Sequence, residues 1–145
     1  MIAWFALLPL VALPAPEAKS GPSATEGQAR FPATVDTDGG TFRLALKPLH
    51  ARGRAPVPFN ELFELQVDVT QLRQLDDPNP LWLDLQATMP GHGHGMNTHA
   101  RVDGPDGKRF IIRGLLLHMA GEWEFSFDIA KGRLHEKAKV RFVLE

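Results

Sequence analysis

The segment Met89-Pro-Gly-His-Gly-His-Gly-Met96-Asn-Thr-His99 places three imidazoles in a glycine-rich loop bracketed by thioethers. Further along, Leu115-Leu116-Leu117-His118-Met119-Ala120-Gly121 supplies one more of each. Four of the six His and every Met except the first fall in these two stretches. In extended backbone alternate residues share a side, so His92, His94 and Met96 would offer two imidazoles and a thioether to one ion, with the interleaved glycines letting the backbone bend. Thioether sulfur is soft and suits Cu(I), whereas imidazole suits Cu(II), Zn(II) or Cu(I). A mixed His/Met set therefore points to copper, Cu(I) or Cu(II), held by His92, His94 and Met96 and completed by His118, with Met119 or His99 as further donors.

Packing competes with ligation for some of these residues. Met89 continues the apolar face of the segment before it, and Met119 is in phase with Leu115, Leu117 and Trp123, so core filling is the rival role for both. Met96 has the strongest claim among the thioethers. His118 is opposite in phase to Leu117 and Met119 and would face away from the core in a regular strand. His99 reads equally as a solvent-facing strand residue. His50 and His135 stand alone and read as surface residues.

Composition removes most other chemistry. The chain has no Cys, which excludes disulfides, thiolate metal sites and cysteine nucleophiles. Its 16 Lys plus Arg against 17 Asp plus Glu leave a formal charge of −1, with no footprint for nucleic acid or for strong association of the mature domain with an anionic membrane. A cupin would follow its His-x-His with a Glu, but Gly95 to Arg101 carries no carboxylate. A copper–zinc dismutase needs more His, an Asp ligand and usually a disulfide. Ser20 and Ser23 lie in a polar linker and Ser126 in a regular strand, so no nucleophilic triad forms. Phosphate-loop and dinucleotide patterns are missing. The expectation is a binding protein and not an enzyme.

The elements that must position these donors read as short strands. Phe63, Leu65, Val67 and Val69 alternate with Glu64, Gln66 and Asp68. The same period recurs over Leu81 to Met89, over Trp123 to Ile129 and over Ala138 to Leu144. Weaker strands are expected around Thr34, Phe42 to Leu46, His99 to Val102 and Phe110 to Ile112, with the last two joined by a turn at Asp103-Gly104-Pro105-Asp106-Gly107. Gln71 to Leu75 is compatible with a short helical turn. With 13 Gly and 12 Pro in 145 residues, the economical architecture is an all-β, antiparallel β-sandwich of seven to nine strands.

The N-terminus reads as an address. Ile2 to Leu13 carries no charge and would span about 18 Å as a helix, against about 30 Å for a bilayer core. Residues 1–18 are therefore expected to be a signal peptide, 19–30 a polar linker and 31–145 the folded domain. That organisation implies a periplasmic or secreted protein, or one retained at the membrane by an uncleaved N-terminal segment.

The stretch from Thr88 to Asn97, followed by Arg109-Phe110, Gly114-Leu115 and His118-Met119-Ala120-Gly121-Glu122-Trp123, resembles the YtkA-like family, often grouped with FixH-like proteins. The similarity covers about residues 60 to 130. It implies a small exported or membrane-anchored immunoglobulin-like β-sandwich associated with metal, copper above all. Ala120 departs from the family pattern, in which Pro is common after the Met. The expected partners are a copper ion and an envelope protein or metal acceptor. The alternative is a metal-free envelope interaction module that uses the same loop end of the sandwich.

Overall fold

Alternation along the chain becomes alternation across a sheet, because successive side chains of a strand point to opposite faces. The computed structural model describes residues 29–49 and 57–145. The segment expected to be a signal peptide, the linker as far as residue 28, and His50 lie outside the described residues. The described chain forms nine strands: β1 (Ala33–Asp36), β2 (Phe42–Leu49), β3 (Phe63–Gln71), β4 (Leu81–Met89), β5 (His94–Gly95), β6 (Arg101–Asp106), β7 (Arg109–Leu115), β8 (Gly121–Lys131) and β9 (Leu134–Leu144). They pair as a five-stranded sheet, β1-β2-β3-β7-β6, and a four-stranded sheet, β5-β4-β8-β9. Every pairing is antiparallel. This is the β-sandwich that the strand pattern calls for.

The inner faces interdigitate. Phe42, Leu44, Leu65, Val67, Phe110 and Ile112 from the larger sheet and Leu83, Leu85, Trp123, Phe125, Val140 and Phe142 from the smaller are all buried in one core. Burying a large apolar side chain contributes about 1.5–3 kcal/mol, so this face drives the assembly and fixes strand register. The same register decides where the loops meet. β4 ends at Met89, β7 ends at Leu115 and β8 begins at Gly121, so the connections 90–100 and 116–120 emerge at one end of the sandwich.

Two local expectations change. No helical turn forms at Gln71–Leu75: β3 runs through Gln71, and the Leu72 N–H donates to the Thr41 carbonyl at 2.7 Å. So short a segment cannot nucleate a helix against a ladder that already uses its backbone donors. The reversal between β6 and β7 lies at Gly107-Lys108 and not across Asp103–Gly107. β6 continues to Asp106 through an irregularity between Asp103 and Asp106 that accommodates Pro105, which has no N–H to give the ladder.

On the outer face of the smaller sheet, Glu124 is buried beneath longer side chains. Burial opposes its charge, but hydrogen bonds from Arg141 at 2.7 Å, Lys139 at 3.0 Å and Ser126 at 3.0 Å outweigh that and hold its carboxyl below the ordinary range. A carboxyl lowered by folding stabilises the folded state above its unfolded-state range and loses that contribution as pH falls through the folded-state value. Glu124→Gln is therefore expected to destabilise the protein by about 1–2 kcal/mol at pH 7. In urea titrations across pH, its difference from wild type should shrink toward zero below about pH 4.

Candidate metal centre

β4 reverses into β5 through Pro90–Gly93, with Met89 opposite His94 and Thr88 opposite Gly95. The N–H groups of His92 and Gly93 both donate to the Met89 carbonyl, at 3.0 and 3.1 Å. Gly93 has φ +67°, which a residue with a Cβ adopts only under strain, and a Cβ on Gly95 would lie 2.7 Å from the Ala87 carbonyl oxygen. The glycines thus serve a tight hairpin and not an extended tooth. His92 sits on the turn and His94 in the strand, and both are exposed. Their rings nevertheless meet edge to face with centroids 5.6 Å apart. Met96 leaves the hairpin with its N–H on the Ala87 carbonyl at 3.3 Å, and its half-buried side chain packs on the core.

The 116–120 connection is anchored from below. Leu117 is fully buried and its carbonyl accepts the Asn60 N–H at 2.8 Å. Trp123, also fully buried, donates its indole N–H to the Met119 carbonyl at 2.9 Å and meets the His118 ring edge to face at 6.1 Å. Gly121 takes φ +126°, and a Cβ there would lie 3.1 Å from Met89 Cε. Residues 116–118 are irregular, so the strand phase that would turn His118 outward does not apply.

These two connections bring four of the expected donors together. His94 Nε2 lies 3.2 Å from Met119 Sδ, and the His94 and His118 ring centroids are 6.2 Å apart. His94 Nδ1 is 3.3 Å from the His92 carbonyl oxygen. A carbonyl only accepts, so in the tautomer that satisfies this contact the proton is on Nδ1 and the Nε2 lone pair faces the thioether. Two electron-pair donors then face each other, an arrangement satisfied by a proton on Nε2 or by a cation bound to both. Metal–donor bonds of about 2.0–2.3 Å put adjacent ligands roughly 3–3.5 Å apart, which the His94–Met119 spacing matches.

His118 adds a second unsatisfied group. Its Nδ1 is buried with no hydrogen-bond partner among the described residues, while Nε2 lies 3.4 Å from Asn97 Nδ2. Orphaned buried polar atoms are rare in folded proteins, and with Nδ1 closed off by the protein only Nε2 of this ring is open to an ion. Among the described residues no three His, Asp or Glu side chains gather as a metal-holding group, so any site here needs the thioether.

His99 is not brought in. It is exposed, and its ring makes no hydrogen bond or ring contact among the described residues; its carbonyl instead packs against Gly114. Met96 makes no hydrogen bond with a histidine among the described residues, whereas Met119, half-buried against the core, lies 3.2 Å from His94 Nε2. His135 is exposed on β9, away from this end. Asn97 and Trp123 are not metal donors by residue type, yet Asn97 reaches the His118 ring and Trp123 holds the Met119 carbonyl. Trp123 had a signal in the Gly-x-Trp that follows His118-Met119; Asn97 had only its adjacency to Met96.

No family model, curated protein or solved structure matches the chain, so its functional reading rests on its own residues.

Trp123→Phe keeps an aromatic ring in the core but removes the indole N–H together with part of the ring's bulk. It is expected to cost about 2–4 kcal/mol, since the Met119 carbonyl loses its donor and a small cavity opens. Urea denaturation checks the cost, and altered His118 ring resonances in the folded variant would register the loosened connection.

Proposed function

We propose that this protein binds copper as cargo in an exported setting and holds it or passes it on without turnover chemistry. His94 and Met119 form the nucleus of the site, and His92 and His118 complete it. The single observation that carries this reading is the 3.2 Å approach of His94 Nε2 to Met119 Sδ, with Nδ1 within reach of the His92 carbonyl at 3.3 Å. A hydrogen bond to one imidazole nitrogen that fixes the other as ligand is how metal-binding histidines are commonly oriented. One thioether among imidazoles favours Cu(I) over Cu(II).

Other features support the same reading. The uncharged run Ile2 to Leu13 fits export, and a chain without Cys suits an oxidising compartment. The resemblance to YtkA-like proteins points to a metal-associated envelope domain, whose partner would be a copper donor or acceptor. The soft donor in this proposal is Met119, with Met96 serving as a wall of the hairpin.

A second reading has its own observation. Phe59 and Leu62 are 50% and 63% exposed, and the neighbouring Asn60 bonds the Leu117 carbonyl beside His118. An apolar pair at that end favours a metal-free interaction module.

An anaerobic Cu(I) competition titration against a chromophoric chelator separates the two. The copper reading expects stoichiometric binding tighter than micromolar, weakened about tenfold or more in both His94→Ala and Met119→Leu. In a Zn(II) control, Met119→Leu should matter less than His94→Ala, because zinc gains less from a thioether. No Cu(I) binding above the chelator control would remove the copper reading and leave the interaction module.

A further inference from the structure

Among the described residues, Asn97 is the only polar partner of the His118 ring. The His118 Nδ1 is buried against the protein without a partner, and Nε2 faces the Asn97 side-chain amide at 3.4 Å. Whichever way that amide is turned, it engages Nε2: its N–H₂ donates to a bare nitrogen, or its carbonyl oxygen accepts from a protonated one. Asn97 is exposed and lies on the chain just beyond the His94 strand, so its side chain can swing away without disturbing the core. His118, in contrast, is braced by Trp123.

We propose that Asn97 is a latch on the metal site, resting on the copper reading above. With no ion bound, the amide occupies His118 Nε2, the nitrogen of that ring left free of burial, and holds the ring beside His94. An ion already held by His94 and Met119 recruits His118 through Nε2 only by displacing Asn97. On delivery the amide returns to Nε2, so the ligand set reverts from three or four donors toward the His94–Met119 nucleus. A cargo protein gains from such an arrangement because the competing hydrogen bond offsets part of the affinity that would otherwise trap the ion. Asn97 is thus a positioning residue that sets how readily the site releases its metal.

Three variants of the full chain, Asn97→Ala, His118→Ala and the double mutant, test this with Cu(I) and a chromophoric chelator as probe. The latch expects Asn97→Ala to bind about three- to tenfold more tightly than wild type, the size of one net hydrogen bond, with correspondingly slower transfer to the chelator. It expects His118→Ala to weaken binding and the added Asn97→Ala to change nothing further, since the two act through one nitrogen. In the metal-free protein, long-range proton–nitrogen spectra should show the His118 Nε2 signal moving in Asn97→Ala while those of His92 and His94 stay in place. An unmoved His118 signal, or wild-type binding that Asn97→Ala leaves unchanged or weakens, overturns the latch alone. Failure of wild type and Asn97→Ala to bind Cu(I) at all overturns the copper reading, and the latch with it.

Discussion

The hydrogen bond from the Trp123 indole to the Met119 carbonyl is the constraint on which the rest of this end of the molecule depends. Trp123 cannot move, because it is fully buried in the inner face of β8 between paired strands. Through one N–H it fixes the backbone of a connection that has no ladder of its own, and through its ring edge it sets the tilt of His118. The thioether and the second imidazole thereby acquire the rigidity of the core although they stand outside it. Sites supported in this way keep their geometry better than sites whose loops are held only by solvent-exposed contacts.

The opposing wall is built differently. The β4–β5 hairpin is anchored by Met89, and its shape comes from backbone bonds to the Met89 and Ala87 carbonyls and from glycines that admit the close approach. His94 is placed by strand pairing and His92 by the turn, so both imidazoles inherit the position of β4. Met89 joins the two walls: its side chain is fully buried in the core, and its methyl group touches the position of Gly121. A soft donor from one wall and an oriented imidazole from the other then meet without an intervening charge. The carboxylate network around Glu124 serves stability on the outer face of the smaller sheet and makes no contact with these donors among the described residues.

Much of this was legible in the residues. Period-two alternation marked every long strand, because burial on one face leaves its imprint at alternate positions. The clustering of His and Met marked the end of the sandwich where the two connections meet, although Met89, Met96 and Met119 also pack in or against the core. The choice between Met96 and Met119 was not legible. Strand phase assigns Met119 to the core, and it packs against it, but a half-buried thioether in the connection just before β8 can serve core and site at once. The extended pattern over His92 to Met96 concealed a turn whose closure depends on the Met89 carbonyl, a backbone interaction that residue types alone do not reveal. Asn97 was invisible for a related reason: its partner is twenty-one positions away and is brought near only by the pairing of two separate connections.

The central claim is that Met119, and not Met96, supplies sulfur to an ion also held by His94. X-ray absorption at the copper edge of the Cu(I)-loaded protein addresses it directly. The account expects a mixed nitrogen and sulfur shell with the sulfur at about 2.3 Å, lost in Met119→Leu and retained in Met96→Leu. A shell of nitrogen and oxygen alone in the wild type, or a sulfur that survives Met119→Leu and vanishes in Met96→Leu, would contradict it.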